Sequence, residues 1–154
     1  MQVRPARPAD YPALARHFRA SWQRDLGMSY PLPWIRRYLR EGHRIEILGD
    51  QFFVACEGRE VVGSMSVVFW EPDMAELRDW YVDPAVRGKG GGKQLFTAAM
   101  RACKRKRIRK VFAFVLPPVA GFFLARGFRQ EGILKEHAAP GEDLIAVACF
   151  LRKK

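Results

Sequence analysis

The chain has 154 residues, with 27 Lys and Arg against 16 Asp and Glu, a net charge of +11, and is 49% hydrophobic and 28% charged. This length suits one domain spanning residues 1–154, and the composition excludes a disordered chain; no apolar run is long enough for a membrane span, and the N-terminus lacks the apolar stretch of a secretory signal. Cys56, Cys103 and Cys149 lack metal-ligand spacing and cannot all pair, so no metal site or disulfide scaffold is expected and they read as small core residues of a cytoplasmic protein.

Gln2 to Ala6 reads as a short strand, and Asp10 is placed as an N-cap ahead of a helix whose Leu14, Phe18 and Trp22 recur every fourth residue to about Leu26. The stretch from Gly27 to Pro33, with two prolines, is a loop, and a second helix covers about Trp34 to Glu41. Two extended runs, Phe52 to Cys56 and Val61 to Phe69, flank Glu57-Gly58-Arg59-Glu60 as a hairpin. After the break at Glu71-Pro72-Asp73, a further strand runs from Ala75 to Val82 and stops at Asp83-Pro84. A glycine-rich loop, Arg87 to Gly92, then leads into a helix with Leu95, Phe96, Ala99, Met100 and Cys103 on one face. Its C-terminal end carries the basic run Arg101 to Lys110, which suits a helix C-terminus and keeps a nucleic-acid contact open as an alternative. Lys110 to Leu116 lacks alternation and is expected to be buried on both faces. Pro117-Pro118 opens a short helix ending before Gly127, and strands of about Arg129 to Glu136 and Leu144 to Leu151 flank a turn at Pro140-Gly141. The order β-α-α-β-β-β-α-β-α-β-β predicts a mixed sheet with helices on its faces.

The chemistry is concentrated in Tyr81-Val82-Asp83-Pro84-Ala85-Val86-Arg87-Gly88-Lys89-Gly90-Gly91-Gly92-Lys93-Gln94-Leu95. A strand feeds a glycine-rich turn and the turn feeds a helix, so free amides at the helix N-terminus form a cradle for an anion. The dinucleotide fingerprint fails here, because Lys93 or Leu95 falls where its last glycine belongs. The Walker loop fails as well, with Arg87 in place of its first glycine and Gln94 in place of its Ser/Thr. The pattern Arg/Gln-x-x-Gly-x-Gly/Ala fits at Arg87, Gly90 and Gly92.

With this pattern the sequence resembles the GNAT family, the Gcn5-related N-acetyltransferases, and Phe122 to Phe128 resembles a second motif of that family. The resemblance implies an α/β fold with a GNAT-like mixed, mostly antiparallel central sheet and helices on both faces. It also implies an acetyl-CoA-dependent N-acetyltransferase acting on a primary amine of a small molecule or peptide by direct attack. Gly88, Gly90, Gly91 and Gly92, with Arg87, Lys89 and Lys93, would then hold the CoA pyrophosphate, and the strand edge at Tyr81 and Val82 would pair with the pantetheine amides. A backbone amide near Tyr81 or Val82 would polarise the thioester carbonyl.

For the general base, Glu76 is the first choice, since it precedes Val82 by six residues as in histone-acetylating members; Asp79 is second, reachable if the strand bulges. His43 and His137 read as loop histidines. Phe123 falls at the CoA-facing position where many members carry a thiolate-protonating tyrosine, which leaves departure of the thiolate toward water, or Tyr81 or Tyr30 as a substitute donor. Tyr30 and Trp34, with Arg36 and Arg37 nearby, suggest an aromatic, cationic acceptor wall suited to an anionic amine. A homodimer is allowed for and no membrane partner is expected. The runner-up reading is a GNAT-fold acyl-CoA sensor with little catalysis.

Overall fold

The structure, a computed structural model, describes residues 1–41, 49–71 and 73–151. His43 and the Pro72 break lie outside the described residues. The elements follow the predicted order: β1 (Gln2–Pro5), α1 (Tyr11–Leu26), α2 (Leu32–Glu41), β2 (Gly49–Glu57), β3 (Glu60–Glu71), β4 (Met74–Val82), α3 (Gly91–Arg105), β5 (Lys110–Val115), α4 (Pro117–Leu124), β6 (Arg129–Ala139) and β7 (Glu142–Phe150). One seven-stranded sheet runs β1-β2-β3-β4-β5-β7-β6. Every neighbouring pair is antiparallel except β4 and β5, which are parallel.

Two apolar layers hold the helices to the sheet. On one face Leu14, Ala15 and Phe18 of α1 and Ile35 and Leu39 of α2 pack on Phe52 and Val54 of β2. On the other, Leu95, Phe96, Ala99 and Cys103 of α3, with Ala120 and Phe123 of α4, cover Phe53, Met65, Val67, Leu77 and Val111. Because β2 is buried on both faces, residues 52–55 carry no polar alternation. Phe18 alone, fully buried, contributes about 1.5–3 kcal/mol of apolar burial.

Several expectations are corrected. Asp10 holds the N-cap position of α1 as expected, but its side chain makes no cap hydrogen bond, because the carboxylate accepts from Arg4 at 2.6 and 2.8 Å and from the Arg7 amide at 2.7 Å. The second helix begins at Leu32, since the Trp34 and Ile35 amides both donate to the Pro31 carbonyl. Only one face of β5 is sealed: Val111, Ala113 and Val115 are buried while Phe114 is 40% exposed, because α1 and α2 cover the other end of the sheet. The strand β6 extends to Ala139, three residues further than expected. Cys103 is in the core, whereas Cys56 and Cys149 are only half-buried.

Candidate active site

The parallel pairing of β4 with β5 lasts for three residue pairs, Met74 with Lys110, Ala75 with Val111 and Glu76 with Phe112. Beyond Glu76 the strands part, and the β5-facing edge of β4 from Leu77 to Val82 is left without a strand partner. An exposed strand edge is a template for another extended chain. The strand is bent there by a bulge: Asp79 has φ of +53°, and the register with β3 slips between Ser64 and Ser66, which face Tyr81 and Arg78. Three hydroxyls surround Asp79. Ser64 Oγ donates to its carbonyl at 2.8 Å, and Ser66 Oγ and Tyr38 Oη donate to Oδ2 at 2.6 and 3.2 Å. The extra residue places Leu77 and Trp80 against the same core layer, three positions apart. Buried beneath, His17 Nε2 lies 3.1 Å from Ser64 Oγ. The Ser64 hydrogen is committed to the Asp79 carbonyl, so the imidazole is the donor in that contact.

Past β4 the glycine loop closes onto α3. Gly90 is the α3 N-cap with φ of +82°, a left-handed conformation that a side chain would strain. The Gln94 amide donates back to the Gly90 carbonyl at 3.0 Å, so the Gly91, Gly92 and Lys93 amides are the first-turn donors with no carbonyl ahead of them in the helix. A cavity of about 700 Å³ opens before them, lined by Trp80, Tyr81, Val82, Arg87, Gly88, Gly90 to Lys93, Val119 and Phe122 among others. Arg87 Nε donates to the Val82 carbonyl at 2.9 Å and its guanidinium lies over the Tyr81 ring, which ties the loop to the strand. Gly92 is needed for a second reason: a Cβ there would meet Trp80 Cζ2 at 3.3 Å, and the Trp80 indole donates to the Gly92 carbonyl. Lys89 is not in the lining and sits 3.7 Å from Glu57. Donors, cations and a side-chain-free approach suit a pyrophosphate.

A second cavity, of about 480 Å³, adjoins the first and shares Trp80 and Tyr81 of β4 and Leu116 beyond β5 with it. Its lining includes Ser21, Trp22 and Asp25 from the end of α1, Met28 just beyond it, Arg78 to Tyr81 from the bulge, Phe114 from β5, and Phe123 and His137. Asp79 lines this cavity and Glu76 does not. Glu76 is 3% exposed, accepting from Trp70 Nε1 at 2.7 Å and from Arg78 Nε at 2.6 Å. Phe123 is 1% exposed, with its ring edge-on to Trp80, Phe96 and Phe128. Tyr30 and Trp34 are absent from the lining. They stack on each other at 4.6 Å and edge against Trp22, which does line it. Arg36 and Arg37 are exposed outside the cavity, and Arg37 pairs with Glu41 at 2.8 Å. The Tyr81 hydroxyl is bonded to Arg24, and burial raises its pKa.

Sequence reasoning passed over Asp25, Trp22 and Phe114, and placed His137 in a loop, whereas it lies in β6 on the cavity wall. An acid in the last turn of α1 was the available signal, since a helix C-terminus favours cations.

Residues 16–128 match the family model described as Acetyltransferase (GNAT) family. A protein named as an uncharacterized N-acetyltransferase of Chlorobaculum tepidum is 31% identical over 86 residues, which are 56% of this chain and 54% of that protein. The chain thus spans about half the length of the curated relative it matches. Among solved structures, an N-acetyltransferase from Staphylococcus aureus Mu50 superposes with TM-score 0.82 at 19% identity, over 98% of both chains. An aminoglycoside 6'-N-acetyltransferase complexed with coenzyme A gives 0.80 at 13% identity, over 100% of this chain and 99% of the other. A ribosomal-protein-alanine N-acetyltransferase from Brucella melitensis gives 0.75 at 24%, over 98% and 100%. At these identities the solved structures share the fold.

Proposed function

The chain belongs to the acetyltransferase (GNAT) family, and from that membership we propose that it transfers the acetyl group of acetyl-CoA to a primary amine by direct attack. The observation that carries this reading is the meeting of two cavities at the parting of β4 and β5, one walled by the amide cradle and the other by the Asp79 bulge. Acetyl-CoA supplies an activated thioester carbonyl. The amides of Gly91, Gly92 and Lys93, with the side chains of Arg87 and Lys93, hold its pyrophosphate, and Gly88 and Gly90 let the backbone approach. Lys89, paired with Glu57, adds charge only at longer range. The open edge at Tyr81 and Val82 pairs with the pantetheine amides, and one of its amides polarises the carbonyl.

An attacking amine must be neutral, so a proton acceptor facing the cavity is needed. Asp79 lines the cavity and is our preferred base; Glu76, locked by Trp70 and Arg78, serves to fix the strand. With Phe123 sealed among rings, the sulfur leaves toward water. A non-catalytic acyl-CoA sensor is the second reading, and the missing hydroxyl at Phe123 is what favours it. Free thiol released from acetyl-CoA by a panel of primary amines separates the two: the transferase reading expects turnover, the sensor reading expects calorimetric binding alone.

A further inference from the structure

Among the described residues, five line both cavities: Asp25, Trp80, Tyr81, Leu116 and Val119. They mark the seam where an acceptor nitrogen must come to a thioester carbonyl. Asp25 is the one acid among them. It sits in the last turn of α1, which ends on Gly27 in the left-handed conformation, with the Met28 amide returning to the Trp22 carbonyl. Carbonyls of that turn lack helical partners, so a carboxylate there adds to the negative end of the macrodipole instead of offsetting it. The neighbouring Arg24 is hydrogen-bonded to the Tyr81 hydroxyl, and a further cation beside Asp25 would offset the charge at this helix end. The second cavity offers Trp22 and Phe114 as flat apolar walls. Among the described residues, the arginine in its lining is Arg78, which is held by Glu76 at 2.6 Å.

We infer that Asp25 is a specificity-determining residue that docks the ammonium of the acceptor at the seam, and that the acceptor is a primary amine on an apolar or aromatic body with no carboxylate beside the nitrogen. This rests on the transferase reading. The ammonium pairs with Asp25 and gives one proton to the base. Its nitrogen lone pair then forms the C–N bond to the acetyl carbonyl carbon while the C–S bond breaks. A second nitrogen proton passes to water as the amide forms, and water returns one proton to the departing thiolate, so the exchange leaves CoA thiol and amide with no net change in the solvent.

The test compares 2-phenylethylamine with phenylalanine as acceptors, in the native protein and in Asp25→Asn and Asp25→Glu. The native protein should prefer 2-phenylethylamine in kcat/KM. Asp25→Asn should raise its KM by about 10–100-fold, the loss of one charge-assisted contact, with kcat held within about threefold, and Asp25→Glu should restore most of the affinity. Acetyl-CoA affinity of the Asn variant should be unchanged or higher, which also verifies folding. An unchanged KM, a fall confined to kcat, or a preference for phenylalanine overturns the assignment. Calorimetric binding of 2-phenylethylamine to the CoA-saturated protein keeps the two readings apart. Absent turnover with Asp25-dependent binding contradicts transfer and supports the dock, whereas binding that survives Asp25→Asn contradicts the dock whatever the turnover.

Discussion

Replacing His17 with Gln should flatten the loss of stability that the native protein shows on mild acidification. The His17 side chain is 9% exposed, between Ser64 and the Tyr81 ring 5.1 Å away. Burial lowers its pKa from 6.5 to about 4. Because the folded value lies below the unfolded one, the unfolded chain takes the proton first. The stabilising contribution of neutral His17 is therefore complete above about pH 6.5 and is lost as the pH falls toward about 4. The gap is worth about 3 kcal/mol in full and about 2 kcal/mol by about pH 5, against a total of roughly 5–15 kcal/mol for a domain. Urea titrations at about pH 7.5 and about pH 5 read this directly, as a midpoint lower by about 1 M at a slope of about 2 kcal/mol per M. Glutamine keeps an N–H for Ser64 without titrating, so most of the drop should vanish in His17→Gln. Asp10, held down to about 2 chiefly by its hydrogen bonds from Arg4, loses its contribution only as the pH falls below its ordinary 3.8, outside this window. A Gln variant that loses as much as the native protein would refute the reasoning.

Arg87→Ala removes a charged donor and the brace to Val82, so acetyl-CoA should bind about 10–100-fold more weakly by calorimetry, with thermal stability little changed. Asp79→Asn should lower turnover by about 10²–10⁴-fold, with part of the deficit recovered as the pH rises and more amine is neutral. Glu76→Gln removes one charge partner of Arg78, whose side chain is 31% exposed, and should cost about 1–3 kcal/mol in denaturation, while the folded fraction keeps its turnover. Phe123→Tyr places a hydroxyl among packed rings and should cost about 1–3 kcal/mol without raising kcat.

The order of elements was legible because each boundary carries local chemistry, such as the hairpin at Glu57 to Glu60, the stop at Asp83-Pro84 and the glycine loop before α3. The cradle was legible for the same reason, being one continuous stretch of chain. What the sequence concealed depends on tertiary geometry. The resemblance favours Glu76, six residues before Val82, whereas the bulge at Asp79 adds a residue to the strand and it is Asp79 that lines the cavity. Phe114 lies in a run that looks uniformly apolar, and its exposure depends on where α1 and α2 end. Asp25 lies more than fifty residues from Trp80 and Tyr81 in the chain, and only the approach of α1 to the parting strands joins them at one seam.

Acetyl transfer is tested most directly by incubating the protein with acetyl-CoA and 2-phenylethylamine and following both products, free CoA thiol by titration and the amine by mass. It predicts thiol and acetylated amine in equal amounts, both lost when Asp79 is replaced by Asn. Saturable acetyl-CoA binding with neither product, for this amine and for a wide panel, would contradict it.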